Sequence, residues 1–407
     1  MPRSPGIVTA FIASLVWLAG ASITSAQERS DGVRVGSFVV APKVTVATGY
    51  DDNLFRDSTG TTETFLIRIA PEVKISSDWN RHAVRIDLGG QADFFTHSRR
   101  DNFLDAYVNA AAEIDVTRRF RLQASASLQR GHDDRAADDL PLGAAEPVRY
   151  IAFEVGLGAE AEFGAIAVFP HATWRRFDYS DVALLTGGIA DQDNRDRHEF
   201  EAGVEFAFAL SRNWAVLVRA KAFEIDYRSP ASTAGPARDA RGLEAAGGVR
   251  LKLSELLEAS LAAGVVHQDY SSSLLADVTT LAFDVGLNWR PTRRLSLELN
   301  GRRNIVETAV TGASGRVTTD GTLVAGYELL RVLTINARAN LAHDRFKGVA
   351  RSDLGLSLGF GGDWSLTRIL KIQPAYAFHR RISNAAGQGF SAHVFTVSAT
   401  FELGGSE

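Results

Sequence analysis

The chain has no cysteine among its 407 residues. That excludes a disulfide framework, a thiolate zinc site and a lipid-modified N-terminal cysteine. It does not exclude export, because a large β-sheet protein can be stable without bridges. Long apolar runs are lacking too. Beyond residue 26 no stretch approaches the ~18 consecutive apolar residues of a membrane-spanning helix. Charge of one sign is also lacking. The 44 Lys and Arg stand against 48 Asp and Glu, a net charge of −4. That balance carries no footprint for nucleic acid. The length suits two ordinary soluble domains or one large β-architecture.

What is present begins at the N-terminus. Arg3 is a positive lead-in, and the segment from Ile7 to Leu18 is apolar. Ile23-Thr24-Ser25-Ala26 then ends in small residues before Gln27. This pattern predicts a signal peptide over 1–26, cleaved after Ala26, and a mature chain over 27–407. A membrane anchor is the alternative, but the apolar run is short for one. Loss of Arg3 moves the net charge from −4 to −5. An exported chain without a helical span is periplasmic, secreted or a barrel in the outer membrane. Periodicity separates these.

Most of the mature chain alternates at period two. Leu281, Phe283, Val285, Leu287 and Trp289 alternate with Ala282, Asp284, Gly286 and Asn288. Ile151, Phe153, Val155 and Leu157 alternate with Glu154, Gly156 and Gly158. Phe200, Val204, Phe206 and Phe208 oppose Glu201, Gly203 and Glu205. Near the C-terminus Phe395, Val397 and Phe401 oppose Thr396, Ser398 and Thr400. A strand sends successive side chains to opposite faces, so each segment has one oily and one wet face. The runs exceed the ~9–11 residues that a tilted strand needs to cross a bilayer.

Tight polar turns recur at Ser77-Asp78-Trp79-Asn80, Thr117-Arg118-Arg119, Phe163-Gly164-Ala165 and Ser211-Arg212-Asn213. They continue at Ser254-Glu255-Leu256, Pro291-Thr292-Arg293, Leu330-Arg331-Val332 and Thr367-Arg368-Ile369. Looser Gly/Asp/Ser-rich loops lie between them, the longest near 131–149, 180–197 and 228–241. Short turns alternating with long loops predict an all-β, transmembrane, antiparallel up-and-down β-barrel. Eight turns give nine hairpins, hence 18 strands, with 16 as the fallback if the weak hairpin near 214–253 is misread. A propeller is the competing repeat architecture, but its blades pack four short strands into this period rather than two long ones. A barrel of ~16–18 strands encloses an aqueous lumen. Only a few residues separate Gln27 from the strand expected at Val35, so no N-terminal plug domain is expected.

One stretch resembles a known family. Val35-Gly36-Ser37-Phe38, Pro42 and Gly49-Tyr50-Asp51-Asp52-Asn53-Leu54-Phe55 are similar to the opening of the putative β-barrel porin 2 family. Pro71-Glu72-Val73 and Ser76-Ser77-Asp78-Trp79-Asn80-Arg81-His82 fit the same family's next strands. Its members often accompany exopolysaccharide synthesis and export. The resemblance implies a polysaccharide-export porin of the bacterial outer membrane. The implied partners are outer-membrane lipid, a polysaccharide passenger and a polysaccharide-export lipoprotein or other periplasmic partner.

Parity nominates the lumen. Its candidate lining is Arg68, Glu72, Lys74, Arg85, Asp87, Asp93, Arg121, Gln123, Gln129, Glu201, Glu205, Arg250, Lys252, Asn336, Arg338, Asn340, Lys371 and Gln373. Both signs occur, whereas a strongly selective ion pore would use a ring of one sign. Mixed charge suits a hydrated, polyhydroxylated passenger. The competing reading is that these groups pair across strands and only stabilise the wall. Trp79, Trp214, Trp289 and Trp364 sit beside the short turns as a girdle would. Parity puts Tyr50 outward and Tyr150, Tyr179, Tyr227 and Tyr270 inward at the mouth, for loop packing or for stacking on sugar rings. The loop near 131–149 carries Asp133, Asp134, Asp138 and Asp139. It reads foremost as a solvated surface loop, with a lumen constriction or a divalent-cation site as alternatives; the ligand spacing of an EF-hand is absent. The nine histidines come without a nucleophile elbow or a paired-His metal motif. The functional expectation is therefore a channel without cofactor, metal or catalytic site. A general diffusion porin is the alternative, and a barrel-surface lipid-modifying enzyme the more remote one.

Overall fold

The computed structural model describes residues 32–228 and 236–402. The expected leader over 1–26 lies outside the described residues.

The period-two segments fold into eighteen strands of 12 to 15 residues. In chain order they are Phe38–Asp51, Thr64–Ser77, His82–Phe95, Phe103–Thr117, Phe120–His132, Arg149–Phe163, Ile166–Tyr179, Arg197–Ala209 and Trp214–Tyr227. The remaining nine are Ala240–Ser254, Leu257–Tyr270, Val278–Trp289, Leu295–Val306, Arg316–Leu330, Leu333–Phe346, Ser352–Ser365, Leu370–Ser383 and Phe390–Glu402. Each pairs antiparallel with the next, and the first closes on the last from Lys43↔Glu402 to Asp51↔Val394. The count is 18 and the 16-strand fallback falls away. The suspect ninth and tenth strands pair without interruption from Trp214↔Leu251 to Ile225↔Ala240. The first barrel strand starts at Phe38 rather than Val35, because Val33–Val35 doubles back on it. Gly36, at φ 62°, takes the left-handed first central position of that two-residue turn.

All eight tight turns lie at one end of the barrel, and the longer loops lie at the other. The second strand illustrates the two faces. Phe65, Ile67 and Ile69 are exposed outward, while Arg68, Glu72 and Lys74 share the inner face. An apolar band facing out requires a lipid surround, and closure then pairs the backbone that lipid cannot solvate. Trp79, Trp214, Trp289 and Trp364 are exposed at the short-turn end, with Trp79 edge-on to Phe38 at 5.5 Å. A second outer girdle stands at the long-loop end. Its pairs are Tyr50–Phe65 at 5.2 Å, Phe153–Trp174 at 5.7 Å and Tyr376–Phe395 at 4.8 Å.

One seam is incomplete. The twelfth and thirteenth strands pair only from Trp289↔Leu297 up to Phe283↔Arg303. Above that point Val278–Ala282 keeps its partner on the eleventh strand, and Asn304–Val306 keeps its partner on the fourteenth. The two edges do not pair with each other.

Candidate channel constriction

The polar face is a set of cross-strand charge pairs. Directly opposed residues on neighbouring strands stand close enough to bond laterally. Lys43 meets Glu72 at 3.1 Å, and Lys74 reaches the same carboxylate at 3.5 Å. Arg68 grips the buried Asp93 with two nitrogens, at 2.8 and 2.7 Å. Arg121 serves Asp115 at 2.8 Å and Glu160 at 3.4 Å. Arg250 meets Glu205 at 3.1 Å, Lys221 bridges Glu201 and Glu244, and Lys371 holds Glu402 at 2.7 Å. Lys252 turns to Glu255 at the short-turn end. Asp87 stands opposite Lys74, Gln123 opposite Glu113, and Gln129 contacts the Tyr150 hydroxyl. Asn336 and Gln373 both donate to Asp363, and Asn340 donates to Thr322. Arg85 and Arg338 are exposed on the inner face without a salt-bridge partner among the described residues. These residues share one face, and most of their charges are spent on neighbouring charges of the barrel itself. Parity passed over Arg219, which meets Glu244 at 3.0 Å and also Asp284, and Arg175, which meets Glu154 at 2.5 Å. Both share the parity of residues already nominated.

The loop after the fifth strand is not a solvated surface loop. It crosses the mouth. Asp138 receives Arg316, Arg351 at 2.6 Å and Arg381 at 3.0 Å. Arg316 opens the fourteenth strand, which stands opposite the fifth and sixth in an 18-strand ring. A loop that meets it and also Arg351 and Arg381 passes over the lumen. Arg381 also donates to the Ala136 carbonyl at 2.7 Å. Asp139 accepts from the Thr308 hydroxyl and the Ala309 amide, both at 2.7 Å. The loop is stiffened from within by Arg135, which pairs with Asp101 and donates to the Ala144 and Ala145 carbonyls. A small core of Ala144, Val148 and Val182 joins it to the 180–196 loop, where Asp133 meets Arg195 at 2.7 Å. Asp138 and Asp139 read as solvated because their partners lie 169 to 243 residues away. No local pattern reports such a contact. Arg381, however, shares the inner-face parity of Lys371 and Gln373, and extending that strand's pattern would have found it.

The opening motif has a structural role at the same end. Asp51 caps the Asn53 amide at 2.9 Å and pairs with Arg56 at 2.8 Å. The fully buried Asn53 donates to the carbonyls of Asp57 and Ser391. Asp52 accepts from the His393 amide at 2.7 Å. These bonds clasp the first strand to the last where the barrel closes. Phe55 then lies under the Arg135 guanidinium, 5.3 Å from its ring centroid, which ties the clasp to the crossing loop.

The four inward tyrosines stand at this mouth with their rings engaged by protein. Tyr150 and Tyr179 lie 5.5 Å apart, and Arg195 covers Tyr179 at 3.8 Å. Tyr227 and Tyr270 are buried in a cluster with Ile225, Val278 and Val317. The Tyr227 hydroxyl and the Gln268 amide both donate to Glu307, at 2.8 and 2.7 Å. Burial pushes the Glu307 carboxyl above the usual carboxylate range, against the pull of Gln268, Arg238 and Tyr227. A cleft of about 440 Å³ remains between the crossing loop and the wall, lined by both signs of charge and by Tyr179 and Tyr227. Three exposed carboxylates, Asp181, Asp191 and Asp193, converge in the next loop. Two of them cap amides of their own loop, those of Gln192 and Asp193.

The pattern of putative β-barrel porin 2 matches residues 29–403, well over half of the chain. The chain belongs to that family. A search of curated proteins found no match. Among solved structures the chain is similar to the copper transporter OprC, at 12% identity over 91% of this chain and 81% of that one, TM-score 0.48. It is also similar to Pseudomonas aeruginosa OccK2 (OpdF) in complex with glucuronate, at 11% identity over 89% and 98%, TM-score 0.48. A bacterial polysaccharide outer membrane secretin matches at 10% identity over 89% and 98%, TM-score 0.37. At such identities the likeness says nothing of what this chain carries. The protein is a porin-like barrel of the outer-membrane type.

Proposed function

We propose that this barrel sits in the bacterial outer membrane as the exit pore for an exopolysaccharide, with its short turns in the periplasm and its long loops outside. One observation carries the reading. The eighteen-strand ring encloses a lumen faced by polar side chains, yet its outer mouth is crossed by a loop pinned through Asp138 to Arg316, Arg351 and Arg381. A general diffusion porin needs a standing opening. A pore that must hold the envelope shut between passengers needs a removable closure. The mixed, internally paired charge of the wall favours a polyhydroxylated chain over a small ion of either sign. The proposed partners are outer-membrane lipid, the polymer itself and a periplasmic or lipoprotein component that delivers it. We read the barrel as non-enzymatic. The Ser357–His379 contact at 3.0 Å joins directly opposed positions on adjacent strands, like the charge pairs around it.

Planar-bilayer conductance of the purified barrel tests the reading. A small resting conductance that rises on adding the polymer or its delivery partner supports export. A large, steady, solute-permeable current in the unmodified barrel would instead support the diffusion porin.

A further inference from the structure

We propose that the tip of the hairpin formed by the thirteenth and fourteenth strands is a gate. It exchanges between its docked place in the lumen and a second place in the barrel wall. This inference rests on the reading of the barrel as a channel.

The incomplete seam supplies the first observation. Pairing between the twelfth and thirteenth strands stops at Phe283↔Arg303, although both strands continue. Ile305 and Val317 have the parity of the lipid-facing residues Leu299 and Leu323 on the same two strands. They nevertheless pack with Tyr270, Ile225 and Val278, of which Tyr270 and Ile225 are inner-face residues of strands nine to eleven. The tip has left the wall and turned its outward face onto the inner side of its neighbours. Gly315 permits the approach, because a Cβ there would lie 2.6 Å from the Tyr270 hydroxyl.

The vacated wall supplies the second observation. Continuing the register past Phe283↔Arg303 would set Leu281 opposite Ile305 and Thr280 opposite Val306. The outward, apolar parity of Leu281 and Ile305 then matches. Arg303 occupies the slit now, donating to the Leu281 carbonyl, Thr280 and Thr319. The tip therefore has two ways to bury its apolar face, against the lumen wall or against lipid. In the second, the edge amides and carbonyls of the two strands can pair with each other across the seam, as a lipid-facing wall requires. That move breaks the bonds of Glu307 to Tyr227 and Gln268 and those of Thr308 and Ala309 to Asp139, so it also loosens the crossing loop, leaving it held at Asp138 by Arg351 and Arg381. Loosening of the mouth and closure of the wall become one event.

The absence of native cysteine makes the test clean. Directly opposed strand residues meet the ~4.4–6.8 Å Cα separation that a disulfide needs. The pair Leu281→Cys with Ile305→Cys reports the wall-paired state. The pair Leu287→Cys with Leu299→Cys, lower on the same strands and already opposed, is the control. Both are oxidised in outer-membrane vesicles and scored by mass spectrometry, alone and with Glu307→Ala and Val317→Ser added to loosen docking. The inference expects cross-linking at 281–305, more of it in the loosened background, and a severalfold rise in conductance that reduction reverses. It is overturned if the control forms fully while 281–305 stays reduced even in the loosened background. It is equally overturned if 281–305 forms and a conducting barrel is unchanged. A 281–305 cross-link in a barrel that never conducts, oxidised or reduced, would leave the movement standing and remove the channel reading instead.

Discussion

The two halves of this barrel are built to opposite rules. Toward the short turns the strands pair without a break at the seam that fails higher up, from Trp289↔Leu297 to Phe283↔Arg303. Charges there meet neighbours one or two strands away, such as Lys371 with Glu402 on the next strand and Arg250 with Glu205 on the next but one. Toward the long loops the same strands part, and the decisive contacts join residues far apart in sequence and across the lumen. Asp138 with Arg316, Arg351 and Arg381 is the clearest case. The difference teaches where this fold keeps its strength and where it keeps its freedom. Lateral pairs hold a cylinder, whereas contacts across its mouth can be released without opening the cylinder.

The largest effect should come from breaking the mouth's hub. Asp138→Ala leaves three guanidinium groups facing one another without their shared carboxylate. Stranding a buried charge costs about 3–5 kcal/mol. Here relaxation takes the form of the loop leaving the mouth, so conductance should rise strongly while the unfolding midpoint in denaturant stays put. A fall in the midpoint with no change in current would place Asp138 in the structural half.

Asp93→Ala is the counterpart in the wall. Asp93 is 1% exposed and held twice by Arg68, whose head is partly solvated. Its loss should cost about 2 kcal/mol of barrel stability and leave the resting conductance unchanged. Equilibrium unfolding of the reconstituted protein reads this directly.

The pH dependence is smaller and belongs to the mouth. Burial raises the folded pKa of Glu307 above its unfolded value. Docking through this group is therefore strongest below the unfolded pKa and weakens as pH rises through the folded one. Resting conductance should be lower at acid than at mildly alkaline pH, and Glu307→Gln should flatten that profile. Smallest of all is Lys371→Ala, which removes a pair with both heads more than a third exposed. It should shift stability by less than ~1 kcal/mol.

The contrast between the halves also marks what could be read from the sequence. Parity within one strand is a local property, and lipid outside against water inside enforces it at every residue. That is why Arg68, Glu201 and Lys371 could be set on the inner face, and why eight turns counted out eighteen strands. The closure of the mouth obeys no period. Asp138 and Asp139 look like any polar loop, and only the ring's diameter brings Arg316 and Thr308 to them. Ile305 and Val317 mislead in a more interesting way. Their parity assigns them to lipid, which is correct for the wall, but here the tip carries them inside. The family motif over Gly49–Phe55 was legible as a signature, although its physical work, clasping the first strand to the last through Asp52 and Asn53, needed the structure.

Under the proposed function a removable crossing loop, not the wall, sets the resting state of this pore. The most direct measurement is single-channel conductance of the intact barrel beside a variant in which residues 134–147 are replaced by a short glycine-serine turn. The account predicts little steady current through the intact barrel and a large, ohmic, solute-permeable current through the variant, with both proteins folding to the same strand content. Equal, large and steady currents through the two would contradict it.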